Sequence, residues 1–236
     1  MRLPRLYLYK CVVDDGGAPC IYRDGYSLAI CKPAIRRTAD VGDVIFAFGS
    51  NNYEDPPNRL VYIAVVAAVV REAAYYQLPE YALRPDCIYR RKRSGEFTLR
   101  DDARFHTQSD QRPKDLGGPP NFPNACTLLS DDFRYFGASG TDDWKGNSPH
   151  LTRLIENLGQ GHRVRLSQGL RDELRLLKER IWRRYPDQKM MGKPLHSAGS
   201  RNDTSESDEV VAVCGRRSSY LPPRRGARRQ RSRAAC

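Results

Sequence analysis

Three stretches of this chain hold residues of types that do chemistry. The first is Cys31-Lys32-Pro33-Ala34-Ile35-Arg36-Arg37. Pro33 suits the first position of a short helix, Lys32 stands at its mouth, and Arg36 and Arg37 follow one turn later, near backbone N–H groups that attract anions. Arginine holds a phosphate by a bidentate fork and lysine as a point charge, so Lys32, Arg36 and Arg37 form a candidate phosphate or nucleic-acid corner. An exposed basic turn accounts for the same residues without a ligand. The apolar run Val44 to Phe48 then ends at Gly49-Ser50, where small residues let a ligand approach the backbone, which adds Ser50 to the binding set.

The second stretch is Ser130-Asp131-Asp132, where adjacent carboxylates at a strand end suit a metal ion or a base. Successive side chains of an extended segment point to opposite sides, so only one carboxylate faces a given site, and Asp131 is the candidate. The alternative is a turn cap. Close by, Tyr135 is the aromatic residue placed to stack a base, a contact worth ~1–3 kcal/mol where it forms. The third is the polar segment Asp101 to Pro123, in which His106 is the one histidine, flanked by Arg104 and Asp110. Its unperturbed pKa near neutrality suits a general acid or base, and a plain surface histidine is the alternative. The catalytic candidates are therefore Asp131 and His106. No nucleophile elbow, Walker loop, dinucleotide fingerprint or His-Glu-x-x-His run is present, so no metal ligand is named and the cofactor stays open.

The elements that must position these groups are strands first and helices later. Leu6 to Val13 is apolar on both alternating faces, which marks a central strand. Ser27 to Ile30, Val44 to Phe48 and Leu60 to Val70 are further strands, the last with a bend or bulge at its alanine pair. Cys87 to Tyr89 and Glu96 to Leu99 flank a basic turn, and Ala125 to Leu129 and Phe133 to Phe136 follow the long polar loop. Ser148-Pro149 opens a helix as cap and first residue, and Leu170, Leu174, Leu177 and Ile181 give a second helix its apolar face. The expected class is α+β, with a curved or barrel-like, mostly antiparallel sheet covered by the C-terminal helices. One folded domain over residues 1–186 and a disordered basic tail over 187–236 complete the expectation.

Of the net charge of +12, eight positive charges are arginines within residues 216–236, which leaves +4 on residues 1–215. The basic character thus belongs largely to the tail, which suits sequence-blind attraction to nucleic acid. Seven cysteines with no Cys-x-x-Cys pair exclude a zinc knuckle and a secreted disulfide framework. Cys11, Cys31, Cys87 and Cys126 lie in apolar runs and read as buried free thiols in a reducing compartment. The longest apolar run, Leu60 to Val70, has 11 residues, against the ~20 a membrane-spanning helix needs, so a cytoplasmic location without membrane contact is expected.

Taken in order, these pieces resemble one family, the nucleotide modification associated domains of the second type. The run CKPAIRRTADVGD carries most of the likeness. Arg59-Leu60-Val61-Tyr62, Asp86-Cys87-Ile88-Tyr89-Arg90 and Leu129-Ser130-Asp131-Asp132-Phe133-Arg134-Tyr135-Phe136-Gly137 extend it across residues 5 to 185, the last matching an SxDFxYFG motif. The resemblance implies association with systems, many of them viral, that modify bases in DNA, but it supplies no reaction. Three functions follow as expectations. One is a nucleotide-binding or nucleic-acid-binding domain with its phosphate at the CKPAIRR corner. Another is an enzyme acting on a modified nucleotide or base, and the third is a protein-interaction module whose basic tail recruits DNA. Partners would be nucleic acid or nucleotide and other base-modification proteins.

Overall fold

The structure is a computed structural model that describes residues 2–50 and 56–196. All of these fall in the compact unit Met1–Glu206, and the second unit, Ser207–Cys236, lies outside the described residues together with the expected Arg-rich tail. Eleven strands and four α-helices make up the described part: β1 Leu6–Lys10, β2 Cys20–Tyr22, β3 Gly25–Leu28, α1 Pro33–Thr38, β4 Val44–Phe48, β5 Leu60–Val65, β6 Ala68–Val70, β7 Tyr89–Arg91, β8 Phe97–Leu99, α2 Gln111–Leu116, β9 Thr127–Ser130, β10 Asp132–Tyr135, α3 Pro149–Glu156, β11 His162–Arg163 and α4 Gln168–Arg184.

These strands form a five-stranded sheet of order β10-β5-β4-β1-β11, a four-stranded sheet of order β2-β3-β9-β6, and the ribbon β7-β8. The ladders are antiparallel except for β1 with β4, which run parallel with Leu6 opposite Val44 and Lys10 opposite Phe48. The class is therefore mixed α and β with largely antiparallel sheets. The barrel-like alternative is corrected, because no sheet among the described residues closes on itself.

Two chain segments pass from one sheet to the other. The apolar run from Leu60 breaks at Val66 and Ala67 into β5 and β6, and Asp131 separates β9 from β10. β10 pairs with β5 while β9 pairs with β6, so both sheets share these two crossing points.

The period of two in β1 sorts its side chains between two cores, because successive strand residues face opposite sides of a sheet. Tyr7 and Tyr9 join Tyr26, Leu28, Ile45, Tyr62, Leu128 and Phe133 in one buried cluster. Leu6 and Leu8 join Phe46, Phe48 and Ile63 with Leu151, Ile155, Leu174 and Leu177 of the helices in another. A third gathers Tyr75, Tyr76, Cys87, Ile88, Tyr89, Phe97 and Leu116 around the ribbon and α2. Full burial of each such side chain is worth ~1.5–3 kcal/mol.

The start of α3 differs from its expected form. Ser148 makes no side-chain cap bond. Glu173, from α4, accepts instead from the His150 and Leu151 N–H groups and from the His150 ring. Burial acts to raise the Glu173 pKa, but the Leu151 N–H, the His150 ring and the His150 N–H outweigh it and hold the carboxyl below its usual range. The folded state thus favours the ionised form, whose stabilisation is complete above the unfolded pKa and is lost as pH falls through the lowered one. Glu173→Gln is expected to cost about 1 kcal/mol in a urea titration at neutral pH. The gap from the wild type should narrow on acidification below the ordinary 4.5.

Residues beyond 186 bond back to the body. Tyr135 donates to the Lys189 carbonyl and accepts from the Met191 N–H, and Ala138 donates to the Lys193 carbonyl, each at 2.8 Å. At the end of this strap the His196 N–H donates to the Asp14 carbonyl at 2.9 Å, and the Asp14 N–H donates to the His196 Nδ1 at 3.0 Å. Gly137, with φ of +54°, permits the close approach, since a Cβ there would run into the Lys193 carbonyl. Residues 189–196 are therefore tied to the preceding body by main-chain bonds. Because each lost backbone bond costs ~0.5–1.5 kcal/mol net, ending the chain at 186 is expected to lower stability by about 3 kcal/mol or more in chemical denaturation.

Candidate functional site

The side chains that come together for chemistry are Cys31, His106 and Asp115. The Cys31 Sγ lies 3.2 Å from the His106 Nε2, and the His106 Nδ1 lies 2.5 Å from the Asp115 Oδ2. Thiol, imidazole and carboxylate form one line, in which the carboxylate sets the tautomer and orientation of a base that faces the sulfur. In such a line the imidazole is placed to take the thiol's proton, and the thiolate is the nucleophilic form of cysteine.

Local backbone explains how the thiol is presented. β3 ends at Leu28, and Cys31 and Lys32 then both take left-handed backbone angles, φ +60° and +42°, before Pro33 opens α1. His106 is also left-handed, with φ +48°. Non-glycine residues in this region cost about 1 kcal/mol or more each, and such strain persists where surrounding contacts enforce it. Here those contacts are visible. The Cys31 N–H donates to the Asp115 Oδ1 at 3.0 Å, so one carboxylate holds both the base and the backbone of the nucleophile. Asp115 is positioned by α2, a helical turn inside the segment that had read as an irregular loop.

Asp115 is almost fully buried, and its other contacts keep it there. Tyr89 donates its hydroxyl to the Oδ2 at 2.9 Å. Burial and then the Asp115 charge push the Tyr89 phenol well up, so it remains a donor. The Arg36 guanidinium lies 3.9 Å from the Oδ1 and supplies the balancing positive charge.

Cys31 also differs from the other described cysteines. Its side chain is half-buried, whereas Cys11, Cys20, Cys87 and Cys126 are buried. Burial pushes the Cys20 thiol far up and the Cys87 thiol up to about 11, which keeps both protonated and inert. The expectation that Cys31 is a buried core thiol is corrected: it faces a base. The signals that would have found it are its place immediately before Lys-Pro, where a strand hands over to a helix, and the single histidine in the long loop.

The residues singled out from sequence are dispersed. His106 is at the centre of the constellation, but its carboxylate partner is Asp115 rather than Asp131. Asp131 is exposed at the bend between β9 and β10, while the neighbouring Asp132 carboxylate accepts from the Trp182 indole N–H at 2.7 Å. Arg36 is completely buried. Its guanidinium donates to the carbonyls of Cys31, Asn124, Cys126 and Asp115, so the expected exposed phosphate ligand is an internal brace of the thiol's loop. Arg37 is exposed on α1. Tyr135, the residue expected to stack a base, is buried in the core and donates to the Asp14 Oδ1 at 2.7 Å. Ser50 lies half-exposed after β4, and its carbonyl accepts from the Asn58 N–H.

Lys32 stands next to the thiol. Its Nζ donates to the Gln160 carbonyl at 3.0 Å and lies 4.7 Å from the centre of the Tyr9 ring. A cavity of about 390 Å³ opens elsewhere, lined by Tyr76, Tyr89, Arg90, Arg100, Asp101 and Asp102. Its charges are paired as Arg90–Asp101 and Arg100–Asp102, and neither Cys31 nor His106 contributes to its wall. No group of three or more His, Cys, Asp or Glu side chains among the described residues is arranged to hold a metal ion. No helix among them is long and apolar enough to cross a membrane.

Comparison with known proteins places the chain in a family. No curated protein and no solved structure matches the chain. A family model does, over residues 3–200, a span that includes Cys31, His106 and Asp115 as well as the strap to His196. The chain belongs to the family of nucleotide modification associated domain 2.

Proposed function

We propose that this domain is a thiol-dependent group-transfer enzyme acting on an electrophilic carbon, of the acyl or amide type, carried by a nucleotide or by a base in nucleic acid. The observation that carries the reading is the Cys31–His106–Asp115 line, with its sulfur-to-nitrogen and nitrogen-to-oxygen contacts of 3.2 and 2.5 Å. A binding module needs no buried carboxylate aimed at the far nitrogen of a histidine that faces a thiol. The family name supports a modification-related role and supplies the nucleotide part of the proposal.

The chemistry follows from the three groups. His106 takes the Cys31 proton at Nε2, and the thiolate adds to the electrophilic carbon. Collapse of the adduct breaks the bond to the leaving nitrogen or oxygen, which receives the proton from His106. A thioester on Cys31 remains, and water, deprotonated by the same imidazole, adds to it and releases the acid and the thiol. Asp115 stabilises the imidazolium between the two transfers. It is not itself protonated.

Binding of nucleotide or nucleic acid remains part of this reading, with Lys32 as the corner residue beside the thiol. Recruitment of DNA by the Arg-rich tail concerns residues outside the described part. The test of the enzyme reading is thiol mapping of the native protein with iodoacetamide. Cys31 is expected to be carbamidomethylated well ahead of Cys11, Cys20, Cys87 and Cys126. Alkylation of Cys31 no faster than those four would remove the nucleophile and the proposal with it.

A further inference from the structure

Beside the thiol, two segments that carry only positive charge come into contact. Residues 29–39 contain Lys32, Arg36 and Arg37, and residues 157–171 contain His162, Arg163, Arg165 and Arg171, with no Asp or Glu in either. They meet where the Lys32 Nζ donates to the Gln160 carbonyl. β11 follows at once and pairs with β1, with His162 opposite Tyr9 and Arg163 opposite Leu8. Residues directly opposite in an antiparallel pair project to the same face. His162 therefore shares the face of Tyr9, the residue over whose ring the Lys32 ammonium sits.

This cluster has no internal counter-charge. Among the described residues, Arg36 has the Asp115 carboxylate within ion-pair distance, but no ion pair involves Lys32, His162, Arg163 or Arg165. The His162 pKa is lowered, first by burial and then by Lys32 and Arg163. The half-buried imidazole is thus held towards its neutral form by its burial and then by its neighbours' charge. Like charges gathered in a partly desolvated place are costly unless an anion joins them, and an anion would favour the protonated imidazole. Elsewhere on the surface arginines sit next to carboxylates, as in Arg90–Asp101, Arg100–Asp102 and Arg71–Asp40.

We propose that Lys32 and His162 form a subsite for a phosphate group of the substrate, one residue along the chain from the Cys31 nucleophile. The inference rests on the enzyme reading above and names its substrate class as one with a phosphate next to the reacting carbon. The Lys32 ammonium and the His162 imidazolium each donate to a phosphate oxygen. A 5′-phosphate monoester and a backbone diester share this chemistry.

The experiment is an NMR titration of the His162 imidazole in the full chain, assigned with His162→Gln. It is recorded alone and with thymidine, thymidine 5′-monophosphate or single-stranded oligothymidylate. The titration midpoint is expected to rise by about one unit with a phosphate-bearing compound and to stay put with thymidine. A rise with the mononucleotide identifies a monoester site, and a rise confined to the oligonucleotide identifies a diester site. Lys32→Gln should abolish the rise. The inference is overturned if no phosphate compound moves the midpoint, or if Lys32→Gln responds as the wild type does. Cys31→Ser leaves both cations in place, so the rise should persist there. Absence of the rise while Cys31 remains the fastest thiol sinks the phosphate site alone. A rise in a protein whose Cys31 is unreactive sinks the thiol chemistry alone.

Discussion

Carbamidomethylation of Cys31 near neutral pH is expected to slow by about tenfold to thirtyfold in His106→Ala. The size follows from the thiolate fraction. A free cysteine with a pKa of about 8.5 is a few per cent ionised at pH 7, whereas a thiol paired with a positioned imidazole is ionised almost completely. The pH profile gives the sharper reading. With His106 in place the rate should already be on its plateau at neutral pH, and without it the rate should climb through the range of an ordinary thiol. Asp115→Asn is expected to fall between the two, because the amide still contacts the ring but no longer supports the imidazolium. Equal rates and equal profiles in the wild type and His106→Ala would mean that the 3.2 Å contact only packs the thiol. His106 is partly exposed, and the fold of each variant is checked by its urea midpoint before rates are compared.

Arg36→Ala is expected to destabilise the domain by about 3–5 kcal/mol, against no more than about 0.5 kcal/mol for Arg37→Ala one position on. The adjacent arginines differ only in where the fold puts them. Arg36 is fully buried and its guanidinium donates to four backbone carbonyls, those of Cys31, Asp115, Asn124 and Cys126. Truncation leaves those acceptors unsatisfied and the Asp115 carboxylate without its nearest buried cation. Arg36→Lys should recover little, since one ammonium cannot reach carbonyls that a planar fork spans. Chemical denaturation of the three variants measures this directly. A midpoint for Arg36→Ala close to that of Arg37→Ala would return Arg36 to the surface role its sequence suggested. Because the same guanidinium braces the Cys31 carbonyl and lies near Asp115, the loss of stability should come with a loss of Cys31 reactivity even under conditions where the variant is folded.

Family membership was legible in the order and spacing of short motifs from CKPAIRRTADVGD to the SxDFxYFG-like run, which survive as local patterns whatever the chain does in space. The mixed class was legible too, in the alternation of Leu6, Tyr7, Leu8 and Tyr9 and in the helical spacing of Leu170, Leu174 and Leu177, because these periods are set by backbone geometry over a few residues. His106 stood out as the single histidine of a long polar loop.

The rest depended on contacts between residues far apart in the chain. Cys31 and His106 are 75 positions apart, and Cys31 and Asp115 are 84 apart. A thiol in an apolar run looks like any core cysteine until a base is placed against it. Asp115 lost to Asp131 because paired carboxylates at a strand end are conspicuous, whereas a lone aspartate in a six-residue helix acquires its role only from Tyr89, Arg36 and His106 converging on it. Arg36 was misjudged for a related reason. Backbone carbonyls are its partners, and every residue has one, so no pattern of side chains announces a site that buries a guanidinium among them. The tail strap shows the same limit: residues 189–196 are held by main-chain bonds to Tyr135, Ala138 and Asp14, which leave no trace in apolar periodicity. Local spacing thus determined the elements and the family, while tertiary convergence decided which of the chemically able side chains share a site.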